Sequence, residues 1–130
     1  MAKWEMKDLS TPLTMVKDFA NAMGQPLNQE WMIQDTDNLE IMRSKLIKEE
    51  YDEFCLEDED PVVALKELAD LVYVCYGYAA TFGWNLDEAV KRVHESNMSK
   101  LGDDGKPIYR EDGKVLKGPN YKKPDLTDLV

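Results

Sequence analysis

The chain has 130 residues and a mass of 15.0 kDa, which is the size of one ordinary domain. Hydrophobic residues make up 43% of it and charged residues 32%, a balance that excludes both a mostly disordered chain and a membrane protein. The formal net charge of −10 argues against binding to a nucleic-acid duplex, because such binding depends on neutralising phosphates.

Cysteine usage and the N-terminal residues bear on the cellular compartment. Cys55 and Cys75 are too few and too far apart for a metal–thiolate cluster, and we interpret them as reduced core residues. The first ten residues mix charged with apolar side chains and hold no signal-peptide hydrophobic stretch. The apolar run over residues 68–80 is too short to cross a membrane and contains Asp70. We therefore expect a cytoplasmic protein without a membrane partner.

The first predicted helix follows Thr11, a capping residue, and Pro12, which suits a first helical turn, and it ends at Gly24. Its apolar face comprises Leu13, Val16, Phe19, Ala20 and Met23. One apolar face predicts a helix that packs against a core. The loop that follows leads into a stretch without clear periodicity, up to Asp37.

A second helix is predicted over about residues 37–55, where apolar residues recur with helical periodicity. These residues are Leu39, Met42, Leu46, Ile47 and Phe54. With a rotation of about 100° per residue, Glu50 and Glu53 fall inside the arc of the apolar residues, and Glu49 lies at its edge. Two carboxylates are therefore expected on the core side of this helix.

A third helix is predicted from Pro61, capped by Asp60, to about Phe82. It is apolar nearly all round, which indicates a central helix or one buried in a subunit interface. Glu67 and Asp70 interrupt the apolar sequence and share a face, because residues three apart on a helix are neighbours.

A fourth helix is predicted to start at the capping box formed by Asn85 and Glu88 and to end before Gly102. Its inward residues are expected to be Leu86, Ala89, Val90 and Val93. Asn97 and Lys100 continue the same stripe. We expect these elements to form one all-α domain over residues 1–130, a bundle of four to five helices with its core at about residues 11–102.

The basic region of the chain falls mostly within the tail over residues 103–130. From Lys100 to Lys123 there are seven basic and four acidic residues. Residues 107–110 and 114–117 are predicted to pair as a short hairpin around turn residues; otherwise the tail is irregular.

The informative chemical feature is the acidic pattern of the second and third helices. If these helices pack side by side, four carboxylates converge, those of Glu50, Glu53, Glu67 and Asp70. Buried ionised carboxylates are very costly and cannot neutralise one another. A hard divalent cation resolves this, because all-oxygen ligation suits Mg²⁺, Mn²⁺ or Ca²⁺. Glu49 is a further ligand, a base for the attacking water or an exposed side chain.

Other chemistries of acidic helical bundles are disfavoured. A di-iron centre needs Glu-x-x-His motifs, whereas His94 is the only histidine and has Lys91 three residues before it. Zinc hydrolysis lacks its usual thiolate and imidazole ligands, and there is no P-loop. Mg²⁺ chemistry on phosphates remains, and Lys100 with the basic tail suits a polyanionic substrate.

The acidic residues carry a resemblance to a known superfamily. Glu49-Glu50-x-x-Glu53, then Glu67-x-x-Asp70 and Asn97-x-x-Lys100, resemble the all-α nucleotide pyrophosphohydrolases, which include MazG, dimeric dUTPases and phosphoribosyl-ATP pyrophosphohydrolase. The phrases Gly24-Gln25-Pro26 and Gly118-Pro119-Asn120-Tyr121 look like the phosphoribosyl-ATP pyrophosphohydrolase-like branch. The likeness extends from about Val16 to Pro124 and identifies a MazG-like helical bundle.

This resemblance implies hydrolysis of a nucleoside triphosphate between its α and β phosphates, giving a monophosphate and pyrophosphate, with Mg²⁺ as cofactor and Mn²⁺ able to substitute. It implies that Glu50, Glu53, Glu67 and Asp70 are the metal ligands, that Glu49 with Glu50 acts in catalysis, and that the bundle is completed as a homodimer or homotetramer. Asn97 and Lys100 would meet the sugar or the phosphates. Phosphoribosyl-ATP pyrophosphohydrolase itself, the histidine-pathway enzyme, is shorter and lacks a basic tail. We therefore expect a different nucleotide as substrate and a role in nucleotide-pool house-cleaning.

Further substrate contacts remain open between two readings each. Trp31 is a stacking platform for the base or a lid over the core, and Gln25 contacts a base edge or caps a loop. Lys106 and Arg110, with Lys114 and Lys117, clamp the triphosphate or a neighbouring subunit, or else form a solvated hairpin.

The sequence is also compatible with two rival functions. One is a non-catalytic nucleotide- or metal-binding helical oligomer, and the other is a purely structural helical oligomer with an acidic surface. The complete set of five acidic residues favours the enzyme over the non-catalytic binding module.

Overall fold

The computed structural model describes residues 10–32, 39–57 and 59–130. They form four α-helices, α1 (Pro12–Met23), α2 (Leu39–Leu56), α3 (Pro61–Thr81) and α4 (Leu86–Met98), followed by a short 3₁₀ turn at Thr127–Leu129. Within these residues there is no strand, and a single antiparallel bridge joins Tyr109 to Val115. The fold is all-α, as the sequence predicts; the expected start of the second helix near residue 37 lies outside the described residues.

Local capping chemistry defines the ends of α1. The Thr11 side chain accepts a hydrogen bond from the Thr14 backbone N–H, and the Thr14 hydroxyl accepts one from the Thr11 N–H. Gly24 closes the helix with φ at 68°, a left-handed conformation in which residues with a Cβ are strained. The predicted boundaries of α1 are therefore confirmed.

The start of α3 follows the same logic. Asp60 Oδ1 accepts a hydrogen bond from the Val62 N–H at 2.9 Å, and Pro61 occupies the first helical position, where no backbone donor is needed. The helix ends at Thr81 with Phe82 as its C-cap, one residue before the expected end.

The chain divides into two compact units, Met1–Leu86 and Asp87–Val130. In the first unit both α1 and α2 pack against α3. The core at the α1–α3 contact contains Leu13, Val16 and Ala80, with Leu27 and Tyr76 packed against it.

A buried arginine of α2 contacts both α3 and the loop that follows α1. Arg43 of α2 is 7% exposed and lies over Gly77 of α3, where an added Cβ would meet the Arg43 Nη1 at 3.0 Å. Its Nη2 donates to the Gln25 side-chain oxygen at 3.3 Å, and burial lowers the pKa of the guanidinium. Gly77 therefore makes room for a cation between α2 and α3.

The second unit is built from α4 and the tail. The hydroxyl of Ser96, a buried residue of α4, donates to the Lys122 carbonyl at 2.7 Å. Arg92, one turn earlier, bonds the Asp125 carbonyl and the Asp128 carboxylate. Val90 and Val93, expected to face inward, are instead 50% and 40% exposed, whereas the tail packs on the face that carries Arg92 and Ser96.

A large apolar surface is exposed on the first unit. It forms a groove between α1 and α3, with a volume of about 380 Å³, lined by Pro12, Met15, Val16, Leu65, Leu68, Ala69, Val72 and Tyr73. Leu65 is 67% exposed at its edge. This groove, here called the α1–α3 groove, fits the expectation that α3 is apolar on more than one side.

Two further expectations concern cysteines and membranes. Cys55 and Cys75 are both free thiols, as predicted, but Cys55 is exposed near the end of α2 and is not a core residue. Among the described helices, none combines the length and the apolar character that crossing a bilayer requires.

Candidate metal centre

Three carboxylates from two helices meet in the first unit. Glu50 of α2 and Glu67 and Asp70 of α3 each offer an oxygen, and these oxygens lie within 4.8 Å of one another. The three-residue spacing on α3 places Glu67 and Asp70 side by side, and the packing of α2 against α3 adds Glu50. The structure thus brings together three of the four expected ligands in one group.

The electrostatics of this carboxylate cluster are unfavourable without a cation. Glu50 Oε2 and Glu67 Oε2 are buried and have no hydrogen-bond partner among the described residues. Desolvation raises the pKa of Glu50 most, and the neighbouring carboxylates of Glu53, Asp70 and Glu67 raise it further. Buried acceptors without donors and carboxylates that repel one another are what a bound cation would stabilise.

The chemistry of the donor set fits a hard divalent ion. All three side chains offer oxygen, the ligand type that Mg²⁺, Mn²⁺ and Ca²⁺ prefer. Oxygens that ligate one Mg²⁺ lie about 3 to 4 Å apart, since metal–oxygen distances are about 2.1 Å, so small side-chain rotations suffice to reach that spacing. The Asp70 side chain is 37% exposed, which leaves one side of the cluster open to water and substrate.

The fourth expected ligand lies beside this cluster. Glu53 is exposed, but its carboxylate lies close enough to Glu50 to raise the pKa of Glu50. Glu49 is also exposed on α2. Glu50 and Glu53 therefore lie near each other, as helical periodicity predicts. Glu50 is more buried than Glu49 and Glu53.

Lys66, which the sequence pattern did not single out, also contacts the carboxylate cluster. Its Nζ lies 2.6 Å from Asp70 Oδ2 and 3.7 Å from Glu67 Oε1, and the bond to Asp70 raises the pKa of the ammonium. The four-residue spacing between Lys66 and Asp70 is a sequence signal that could have identified it. Because the Lys66 side chain is 66% exposed, it can leave the carboxylates for solvent.

The aromatic residues of the first unit form a second feature. The Trp31 indole N–H donates to the Tyr78 hydroxyl at 2.6 Å, and its ring lies 5.8 Å from that of Trp84. Tyr78 and Trp84 in turn contact the Phe82 ring. Trp31 is nevertheless 43% exposed, so it packs on these aromatic residues while leaving a ring face accessible.

The remaining candidate substrate contacts are in different environments. Gln25, in the loop after α1, is exposed but accepts the bond from Arg43. In the second unit Asn97 and Lys106 are exposed and Lys100 is half-buried. Arg110 is exposed and paired with Asp112, through a bond from its Nε at 2.9 Å.

The tail contains the short hairpin that its turn residues predict. Besides the bridge between Tyr109 and Val115, the Leu116 N–H donates to the Ile108 carbonyl at 2.7 Å. The Arg110 N–H donates to the Lys114 carbonyl at 2.8 Å. The hairpin holds Arg110 and Lys114 close to each other.

Comparison with known proteins gives one family. The family model of phosphoribosyl-ATP pyrophosphohydrolase matches residues 16–97, well over half of the chain. The matched segment contains most of α1, all of α2 and α3 and most of α4, and with them Glu50, Glu67 and Asp70. Lys100 and the basic tail lie beyond it. No curated protein matches the chain.

Proposed function

Since the chain belongs to the phosphoribosyl-ATP pyrophosphohydrolase family, whose activity is hydrolysis of a phosphoanhydride in nucleotide-like substrates, we propose that it is a Mg²⁺-dependent nucleoside triphosphate pyrophosphohydrolase. It cleaves a (deoxy)nucleoside triphosphate between the α and β phosphates and releases a monophosphate and pyrophosphate. The observation that carries the proposal is the cluster of Glu50, Glu67 and Asp70, with two buried oxygens that lack donors.

The carboxylates have separate roles in this proposal. Glu50, Glu67 and Asp70 hold Mg²⁺, or Mn²⁺ in its place, and Glu53 completes the ligand set from α2. When bound, the ion offsets the charge that develops on the phosphate oxygens and lowers the pKa of water. Glu49, whose carboxylate is open to solvent, accepts a proton from the attacking water at its carboxylate oxygen.

Basic and polar side chains bind the nucleotide. Lys100 neutralises the departing pyrophosphate and Asn97 binds the sugar or a phosphate, with Lys106 and Arg110 as further phosphate contacts. Arg110 has to exchange its Asp112 partner for the substrate, which is a modest cost for an exposed pair. Gln25 and the accessible face of Trp31 contact the base, since a flat aromatic surface suits stacking.

Two properties of the whole chain belong to the proposal. A second copy of the chain covers the α1–α3 groove, so that the working protein is a homodimer or homotetramer. Residues 1–130 act as one catalytic domain. The activity serves cytoplasmic nucleotide-pool house-cleaning, by removing a surplus or non-standard triphosphate.

Pyrophosphate release tests the proposal directly. The wild-type protein, given Mg²⁺ and a panel of ribo- and deoxynucleoside triphosphates, is expected to release pyrophosphate from at least one of them. Glu50→Gln should lower that rate by about 100-fold or more, since a catalytic ion contributes several kcal/mol of charge stabilisation. Glu59→Gln, at an exposed position before α3, is the matched control and should leave the rate unchanged. Equal rates for wild type and Glu50→Gln would refute the proposed mechanism.

The alternative is a helical oligomer that binds nucleotide or metal without turnover. Lys66 favours it, because an ammonium at 2.6 Å from Asp70 already neutralises part of the cluster. In this case Mn²⁺ would raise thermal stability by binding the folded state, while no nucleotide of the panel would be hydrolysed. If Mn²⁺ does not raise thermal stability and no nucleotide is hydrolysed, the result would favour the purely structural oligomer.

A further inference from the structure

The tail lies along one face of α4. The Lys122 N–H donates to the Ser99 hydroxyl at 2.9 Å, and the Lys122 carbonyl accepts from the Ser96 hydroxyl at 2.7 Å. Further along the tail, Asp125 and Asp128 meet Arg92. Positions 92, 96 and 99 share a helical face, so the tail follows this face from the C-terminal end of α4 toward its start.

The tail backbone meets the backbone at the end of α4 at Gly118. The Gly118 N–H donates to the Lys100 carbonyl at 2.8 Å. A Cβ added at Gly118 would lie 2.6 Å from the Lys100 carbonyl oxygen and 2.5 Å from that of Leu101, distances that no side chain tolerates. Both obstacles are backbone atoms, so neither can rotate away. The need for glycine at this position is therefore steric: the tail backbone has to touch the backbone just after α4.

The end of α4 needs this support. Beyond Met98 the chain turns through 3₁₀-type bonds, with the Lys100 N–H donating to the Asn97 carbonyl at 3.1 Å and the Leu101 N–H to the Met98 carbonyl at 3.3 Å. The last carbonyls of a helix lack intrahelical partners, and helix ends fray. The bond from Gly118 and the Ser96–Lys122–Ser99 contacts hold this turn in one conformation.

We infer that residues 118–122, here called the tail strap, are a positioning element for nucleotide binding: they fix the C-terminal turn of α4, and thereby the orientation of Asn97 and Lys100. The inference rests on the proposed function, which assigns Lys100 to the pyrophosphate portion of the substrate. A lysine on a frayed turn has to be ordered when substrate binds, and this ordering costs affinity. The strap removes that cost in advance. Gly118, Ser96 and Ser99 act through Lys100 without touching the substrate.

Gly118→Ala tests the inference through its dependence on Lys100. The substitution is expected to raise KM for the best nucleotide of the panel about tenfold, with kcat changed less, because the loss is one of positioning. In a Lys100→Ala background the same substitution should change KM by less than about twofold, since residues that act through one another are not additive. An equal effect of Gly118→Ala in both backgrounds would overturn the inference.

Controls separate positioning from general damage. Gly105→Ala is matched in the tail: its φ of 73° makes the alanine locally strained, yet its Cβ meets no atom within 4 Å. It should leave KM near the wild-type value, and a similar KM rise in Gly105→Ala would contradict a specific strap.

Ser99→Ala is the milder second variant, should Gly118→Ala not fold. It removes the acceptor for the Lys122 N–H and is expected to raise KM two- to fivefold. An unchanged KM in Ser99→Ala, when Gly118→Ala does not fold, would count against the strap. Mn²⁺ affinity should be unaffected in all of these variants.

Failure of the proposed function remains distinguishable from failure of the strap. If the wild-type protein hydrolyses nothing, the probes become pyrophosphate binding by calorimetry and backbone amide exchange at residues 97–101. Faster exchange together with weaker pyrophosphate binding in Gly118→Ala would support the strap without catalysis. Unchanged exchange or unchanged pyrophosphate binding in that variant would overturn it.

Discussion

At Glu50, the cost of the carboxylate cluster to stability and its benefit for cation binding come from the same carboxylate. One of its oxygens is buried without a donor, and its pKa is raised by desolvation and by the carboxylates around it. The charge that destabilises the metal-free protein is the same charge that would bind a cation. Stability and metal affinity are therefore expected to change in opposite directions when it is removed.

Glu50→Gln should make the metal-free protein more stable to heat at neutral pH, because the amide removes repulsion and can donate to a neighbouring carboxylate. The same variant should lose most of the stabilisation that Mn²⁺ gives to the wild type, which is about 2.7 kcal/mol at an ion concentration 100 times Kd. Thermal unfolding with and without Mn²⁺ measures both effects. A variant that is less stable without metal, or one that keeps the full Mn²⁺ response, would contradict this account.

Asp128 gives a pH prediction of a different kind. Hydrogen bonds from Arg92 lower its pKa below the ordinary value of 3.8. A carboxyl whose folded pKa is depressed adds stability that is present above its unfolded pKa and is lost as pH falls through the folded pKa. The Asp128 contribution should therefore persist at pH 4 and disappear only in more acidic solution.

An NMR titration of the Asp128 carboxyl carbon checks this expectation. The midpoint should lie below 3.8 in the wild type and move upward in Arg92→Gln, which cannot supply the same charge-assisted bonds. An unshifted Asp128 midpoint in Arg92→Gln would show that the two residues are not paired in solution.

At the scale of elements, capping chemistry determines where the helices begin. The Thr11 side chain accepts from the Thr14 N–H at 3.2 Å, and substitution of such a cap by alanine costs about 1 kcal/mol. Thr11→Ala is thus expected to lower the midpoint of thermal unfolding by about 3 to 5 °C. Thr11→Ser keeps the acceptor and should stay within about 1 °C of the wild type, as measured by calorimetry. Equal losses in the two variants would assign the effect to the methyl group instead.

Element boundaries were predictable because their signals are local. Thr11 and Pro12 open α1 and Gly24 closes it, while Asp60 with Pro61 opens α3. The acidic cluster was predictable for a related reason. Periodicity put Glu50 on the α3 side of α2, and a spacing of three put Glu67 beside Asp70.

Long-range contacts were not predictable in the same way. Arg43 falls in the same helical arc as Glu50, yet periodicity alone does not say that Gly77 of α3 leaves space for a guanidinium. Nothing local to Ser96 indicates a partner at Lys122, since that contact depends on the path of the whole tail. The different burial of Glu50 and Glu53 likewise depends on how closely α3 packs, which one helix cannot reveal.

At the scale of the molecule, the exposed apolar surface is the feature that needs an explanation. The α1–α3 groove has almost entirely apolar walls, and Leu65, Leu68 and Val72 of α3 are exposed by 67%, 41% and 45%. Contiguous apolar surface of this kind usually marks an interaction site. A second copy of the chain is the occupant proposed above.

Leu65→Lys tests that occupant. A lysine at the edge of the α1–α3 groove should weaken self-association about tenfold or more, because an interface that covers this position would bury an unpaired charge. Sedimentation velocity over a range of protein concentrations measures the effect. Leu56→Lys is the matched control, since Leu56 is 82% exposed and does not line the groove. If both variants associate like the wild type, the interface lies elsewhere.

The compactness of the carboxylate cluster along the chain has a kinetic consequence. Only 20 positions separate Glu50 from Asp70, and the helices that carry them are consecutive. Contacts between neighbouring segments form early in folding, because little loop entropy has to be lost. A divalent ion would therefore meet its ligands on a nascent helical hairpin, and refolding in Mn²⁺ should be faster than refolding in a chelator.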